Sequence, residues 1–249
     1  MNSFCKSGKS EYFIESKEIA KVIINGKNIS VKYIKNAKKN INSNVYYALN
    51  PLDIEIAQSK VTVIFGRSGS GKTTLLSVLA GLQRPSQGTV LYDGTDIYKE
   101  KDDDFSLFRN ENIGFIPQGQ SLIGNLSVRE NILLQAGISK DGSDKTIKAD
   151  DLLEELGLLD RADFFPKELS GGELRRCAIA RALINDPKVI YADEPTGDLD
   201  DHNTKKVFEL LKKKAGEGAA VVIVTHDMAA LPYADIIYKM DAGSLKISA

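Results

Sequence analysis

Cysteine is scarce in this 249-residue chain: Cys5 and Cys177 stand in unrelated contexts. That excludes a disulfide framework or a spaced thiolate metal cluster and leaves two ordinary thiols. Long hydrophobic runs are missing too. The best, Ala219 to Val224, has the length of a strand, far short of the ~18–20 residues that cross a membrane as a helix. No apolar stretch follows the N-terminal lysines, so no signal peptide is expected. Neither sign of charge is in excess, with 33 Lys+Arg against 34 Asp+Glu. A broad nucleic-acid-binding face leaves a basic surplus, and no nucleic-acid partner is expected. What is present is ordinary globular composition, 42% hydrophobic and 27% charged, on a chain long enough to bury a core without staples. One generous domain, or one domain with an inserted subdomain, is expected in the cytoplasm. A membrane role would require a partner to bring it there.

The polar segment Met1 to Ile19 reads as an N-terminal extension, with the main domain over 20–249. Val22-Ile-Ile24 and Ile29-Ser-Val31 read as strands joined by a tight turn at Asn25-Gly26. Lys35 to Asn44 reads as an exposed loop. Val61–Phe65 is an apolar run ended by glycine, a buried strand, and Lys72–Ala80 has helical composition with Gly81 as its stop. Thr89–Tyr92 and Asp93-Gly94 predict a strand and turn, and Lys101–Asp104 a charged turn. Helical spacing over Leu126–Gln135 and Asp150–Leu159, broken at Asp141-Gly-Ser143, predicts a helical insertion over about 119–168. Strands at Lys188–Ala192 and Ala220–Thr225 then alternate with helices at Glu173–Asn185 and Asn203–Ala215. The fold class is therefore α/β, a mostly parallel sheet with right-handed crossovers.

Three motifs carry chemistry. Gly66-Arg67-Ser68-Gly69-Ser70-Gly71-Lys72-Thr73 fits the phosphate-loop pattern between a predicted strand and a predicted helix. Its glycines let backbone N–H groups close on phosphate oxygens at a helix N-terminus. Lys72 neutralises the β and γ phosphates, and the Thr73 hydroxyl is a ligand for Mg²⁺. Next, a buried strand delivers Asp193 toward the Mg²⁺ shell, with Glu194 after it. Glu194 is placed to polarise an attacking water as general base, which points to hydrolysis of a nucleoside triphosphate. Third, Leu169-Ser170-Gly171-Gly172-Glu173 opens a helix. A Ser N-cap after a turn explains it locally; a second anion-binding helix start explains it chemically.

In this order the motifs resemble the nucleotide-binding domain of ATP-binding-cassette (ABC) proteins over about residues 20–249. The resemblance implies a P-loop ATPase core with an N-terminal antiparallel β subdomain and an inserted helical subdomain. It implies ATP contacts along Gly66, Arg67, Ser68, Gly69, Ser70, Gly71, Lys72, Thr73 and Thr74, and Mg²⁺ contacts from Thr73, Gln118 and Asp193. Gln118, in Phe115-Ile-Pro-Gln118, occupies the Q-loop place, Asp200 that of the D-loop aspartate, and His226 that of the switch histidine. Tyr47 aligns with the aromatic that stacks on adenine, and Tyr46, one residue away, is its rival. In the family, Ser170, Gly171, Gly172 and Glu173 would act in trans on ATP held by a second subunit. A homodimer or a paired ABC subunit, and a separate integral-membrane permease, are thus the implied partners. The chain would then lie on the inner face of the cell membrane.

Glu194-Pro-Thr-Gly-Asp-Leu-Asp200, Glu173-Leu-Arg-Arg-Cys-Ala-Ile-Ala-Arg181 and Ile113-Gly-Phe-Ile-Pro-Gln118 resemble the lipoprotein-release, macrolide-export and cell-division group of the family. Asp198 and Cys177 depart from its commoner pattern, without touching the phosphate chemistry. A soluble ABC ATPase of the iron–sulfur-assembly type remains the alternative. A chromosome-maintenance ATPase would need sustained heptads between Lys72 and Ser170, and there are none.

Overall fold

The computed structural model describes residues 21–35, 44–119, 121–138 and 144–248. The N-terminal extension with Cys5, most of the Lys35–Asn44 segment and the expected break at 141–143 lie outside them. Among the described residues the chain runs β1 (Val22–Lys35), β2 (Asn44–Ala57), β3 (Val61–Phe65), α1 (Lys72–Leu79), β4 (Gln87–Tyr92), β5 (Thr95–Asp96), α2 (Asp102–Asn112) and β6 (Ile113–Ile116). It continues with α3 (Val128–Gly137), α4 (Thr146–Glu155), α5 (Gly171–Leu183), β7 (Val189–Asp193), α6 (Asp201–Gly216), β8 (Ala220–Thr225), β9 (Ile236–Asp241) and β10 (Ser244–Ile247).

The strands form an antiparallel sheet, β2-β1-β4-β5, and a sheet of order β10-β9-β3-β8-β7-β6 that is parallel except at its β10 edge. Both faces of the parallel strands are covered, which is why they read as continuous apolar runs rather than alternating ones. One face sends Ile64, Val222 and Val224 against Leu75, Leu76 and Leu79 of α1, with Ile24, Leu49 and Ile56 of the antiparallel sheet completing the layer. The other sends Val63, Val221 and Ile223 toward Ile179 and Leu183 of α5 and Phe208 and Leu211 of α6. Cys177 lies buried in this second layer, and burial pushes its thiol up to about 12, as expected of an inert core thiol.

Two local readings are corrected. Asn25-Gly26 is no turn: β1 runs through it, pairing Asn25 with Glu55 on one side and Leu91 on the other. Neighbours on both edges hold the strand straight there. Glycine serves a close approach instead, since a Cβ on Gly26 would come within 2.4 Å of Ile29 Cδ1. The bend falls later, at Asn28 (φ 50), whose N–H donates to the Asp53 carboxylate at 2.6 Å. Likewise, Asp102–Asp104 begins helix α2. Acidic residues are favoured in the first turn of a helix, and charge alone does not separate that setting from a turn. The expected Gly81 stop is seen: α1 ends at Leu79 and Gly81 takes φ +69. Between Gln118 and Ser170 the described residues form helices and short 3₁₀ turns, with no strand.

Candidate nucleotide site

The phosphate loop leaves the C-terminal end of β3 and enters α1. Gly71, the N-cap, takes φ 103, and a Cβ there would meet the Ala48 carbonyl at 2.4 Å. Only glycine permits both the left-handed backbone and the close approach of β2. The Lys72 ammonium donates to the carbonyls of Gly66 (2.7 Å) and Arg67 (3.0 Å), so the loop curls around its own lysine. Burial lowers the Lys72 pKa, while the Glu194 and Asp193 carboxylates act against that shift.

Strand β7 ends on Asp193, which is 2% exposed. Burial raises its pKa, and a hydrogen bond from the Thr73 hydroxyl opposes the shift. Its Oδ1 is buried without a hydrogen-bond partner among the described residues, an arrangement that costs free energy unless a ligand completes it. Thr73 and Asp193 thus place hard oxygen donors at the phosphate loop, the donor set that suits Mg²⁺.

Glu194 follows in a left-handed conformation (φ 46), unusual for a side chain with a Cβ. Its carboxylate is held from β8: Oε2 accepts from the Thr225 hydroxyl at 2.7 Å and from the His226 N–H at 3.4 Å, and Oε1 lies 2.9 Å from His226 Nδ1. Gln118, two residues beyond β6, joins Lys72, Thr73, Thr74, Glu194 and His226 in lining a cleft of about 320 Å³. Residues far apart in the chain therefore meet because β3, β8 and β7 are parallel neighbours and end at one edge of the sheet, the usual ligand edge of such sheets.

The cleft takes Tyr46, together with Tyr33, and not Tyr47. Tyr33 and Tyr46 are cross-strand partners on β1 and β2, whereas Tyr47 pairs with Lys32. Alternation along β2 puts Tyr46 on the side of Ala48, which abuts the phosphate loop. None of Ser170, Gly171, Gly172 and Glu173 lines the cleft. They form the exposed start of α5, where Ser170 and Glu173 cap one another: the Ser170 N–H and hydroxyl both donate to Glu173 at 2.8 Å. Gly172 instead approaches Asp198 and Leu199, and Asp200 caps α6 by accepting from the Asn203 N–H at 2.8 Å.

Sequence reasoning missed Thr225, Tyr33 and Arg175. Thr225 left a faint signal as a polar residue closing an apolar run just before His226. Tyr33 left none, because only the β1–β2 register brings it to the cleft. Arg175 stands on the buried side of α5, an exception to amphipathic patterning.

The ABC transporter family profile matches residues 49–197, and the chain belongs to that family. It is 42% identical over 205 residues to the lipoprotein-releasing system ATP-binding protein LolD of Bacteroides thetaiotaomicron, covering 80% of this chain and 92% of that protein. It is 40% identical over 196 residues to the macrolide export ATP-binding/permease protein MacB of Shewanella sp. ANA-3, covering 78% of this chain but 30% of that longer protein. Among solved structures it matches the dimeric ABC cassette MJ0796 in a post-hydrolysis state with ADP and Pi, with TM-score 0.81 and 31% identity, covering 90% of this chain and 98% of that one. The chain is an ABC-type ATPase, the ATP-binding subunit of a transporter. The iron–sulfur-assembly alternative finds no support in these relatives.

Proposed function

We propose that two copies of this chain, or one copy and a paired ABC subunit, close around two ATP molecules and drive a separate membrane permease of the lipoprotein-release and macrolide-export type. The observation that carries the reading is the split site. Lys72, Thr73, Asp193, Glu194, Gln118 and His226 converge around one cleft, while the Ser170–Glu173 signature faces outward from the start of α5. A cleft complete in cis except for its signature is finished by a second subunit, and MJ0796 is a dimeric cassette.

In this reading the backbone from Gly66 to Thr74 cradles the phosphates and Lys72 leaves its carbonyl partners for the β and γ oxygens. Tyr46, with Tyr33 beside it, supplies the aromatic wall for adenine in place of Tyr47. Glu194, oriented by Thr225 and His226, takes a proton from water as the water oxygen attacks the γ phosphorus and the bond to ADP breaks. His226 is exposed at the rim and turns from Glu194 to the γ-phosphate when ATP binds. Thr73, Asp193 and Gln118 would hold Mg²⁺, which neutralises the charge of the transferring phosphoryl group. Hydrolysis removes the γ-phosphate bridge and lets the subunits part.

Residues 119–168 would act as the helical subdomain that passes closure outward. A groove of about 420 Å³ beside it, with Leu82, Leu134 and Ile138 at its surface, supports a permease contact. Among the described residues no helix is long and apolar enough to cross a membrane, so peripheral attachment at the inner face through the permease follows from this reading. The test is capture of partners by tagged Glu194→Gln protein with ATP from detergent-solubilised native membranes, read by mass spectrometry. One multi-pass membrane protein is expected; soluble partners alone would overturn the permease assignment.

A further inference from the structure

Arg175 is 4% exposed, and its guanidinium is committed to main-chain carbonyls. Nε donates to Pro195 O at 3.0 Å, one terminal nitrogen to Pro117 O, and the other to both Asp193 O (2.5 Å) and Glu194 O. These acceptors are not interchangeable. The Asp193 carbonyl belongs to the peptide plane that sets φ of Glu194, and the Glu194 carbonyl to the plane that sets its ψ. One guanidinium nitrogen therefore pins both planes around the residue held at φ 46. The Pro117 carbonyl belongs to the peptide that leads into Gln118, so the same rigid fork ties Gln118 to Glu194. Six residues on, Arg181 donates to the Ser121 carbonyl and hydroxyl, both at 2.8 Å, and secures the far side of the Gln118 segment to the same helix. That helix, α5, is the one that opens with Ser170–Glu173.

We propose that Arg175 is a positioning residue of the hydrolytic site: it holds Glu194 in its left-handed conformation, fixes its spacing to Gln118, and makes the base and the signature helix move as one body. A subunit whose signature is engaged by ATP on its partner would thereby have its own base set in place. The proposal rests on the reading of Glu194 as the base, and it acts on turnover rather than on phosphate binding, because Lys72 and the loop backbone make no hydrogen bond to Arg175.

The experiment is steady-state ATP hydrolysis by the purified full chain, with ATP affinity measured separately, for Arg175→Met and Arg175→Lys. Arg175→Met keeps an unbranched stem, shorter than arginine's, and removes every donor; kcat is expected to fall ~30- to 100-fold with KM and ATP affinity within ~3-fold, the pattern of a displaced reacting group. Arg175→Lys keeps the charge and some of the donors, and should recover part of that loss. Retention of kcat in folded Arg175→Met, a loss confined to KM, or a lysine variant no better than methionine would overturn the proposal. If Arg175→Met does not fold, Arg175→Lys decides: lowered kcat at unchanged KM supports it, while normal kcat or raised KM overturns it. Unimpaired hydrolysis by Glu194→Gln in the same assay would fault the underlying assignment of the base and not the role of Arg175.

Discussion

The two parts of the nucleotide site are built on opposite principles. Around the phosphate loop, polar groups are buried and held in costly arrangements: Asp193 Oδ1 and Ser70 Oγ have no hydrogen-bond partner among the described residues, Glu194 sits at positive φ, and Lys72 is desolvated. At the signature, polar groups are exposed and satisfied by one another through the Ser170–Glu173 capping box. A preorganised cleft concentrates its free energy on a ligand, while a self-capped helix end stands ready for a second molecule without needing one to stay folded. Substitutions in the first part should alter chemistry or nucleotide binding at any protein concentration, and those in the second should alter assembly.

The largest effect belongs to Glu194→Gln, which removes the proton acceptor and should lower kcat ~10²–10⁴-fold while ATP still binds. Sedimentation with ATP should show persistent dimers, and normal turnover would refute the assignment. Lys72→Ala should weaken ATP binding ~10- to 100-fold, the loss of charged hydrogen bonds to phosphate, as read by titration with a fluorescent nucleotide. Ser170→Ala probes the other part. Turnover should fall ~10-fold at dilute protein, on the scale of one lost hydrogen bond, and recover as protein concentration rises. Loss of the cap should cost about 1 kcal/mol of stability. A defect independent of concentration would erase the proposed contrast.

The smallest effect concerns pH. Hydrogen bonds from the Ser170 N–H and hydroxyl, aided by Arg161, hold the Glu173 pKa below its ordinary value. A group whose folded pKa is depressed stabilises the fold above its unfolded pKa, and that contribution is lost as pH falls through the folded value. The melting-temperature gap between the wild-type chain and Glu173→Gln should therefore be widest near neutral pH and close toward pH 3. A constant gap would show that the carboxylate charge plays no part in the cap.

How legible each element was follows from how local its cause is. The β3–loop–α1 unit and the end of β7 were readable because an apolar run, a glycine pattern and a helix start follow one another along the chain. Strand β1 was misread as two strands split at Asn25-Gly26, because turn-forming residues also occur where a central strand needs room for a neighbouring side chain. Asp102–Asp104 was misread since a helix start and a solvated turn share acidic composition. Tyr47 was preferred to its rival Tyr46, whereas the cleft takes Tyr46, because one step along a strand reverses the face and the register is set by a partner strand.

From sequence alone came the candidates for phosphate-binding and hydrolytic groups, since Gly66–Thr73, Asp193-Glu194, the Ser170 helix start and His226 each sit in a short segment whose local structure aims them. Tertiary structure decided what lies between those segments. Parallel pairing of β3, β8 and β7 brings them to one edge, Thr225 and His226 orient Glu194, Tyr33 and Tyr46 wall the cleft, and Arg175 clasps the backbone around Glu194. Such contacts depend on strand register and on which helix face is buried, and those are properties of the whole fold rather than of any window along the chain.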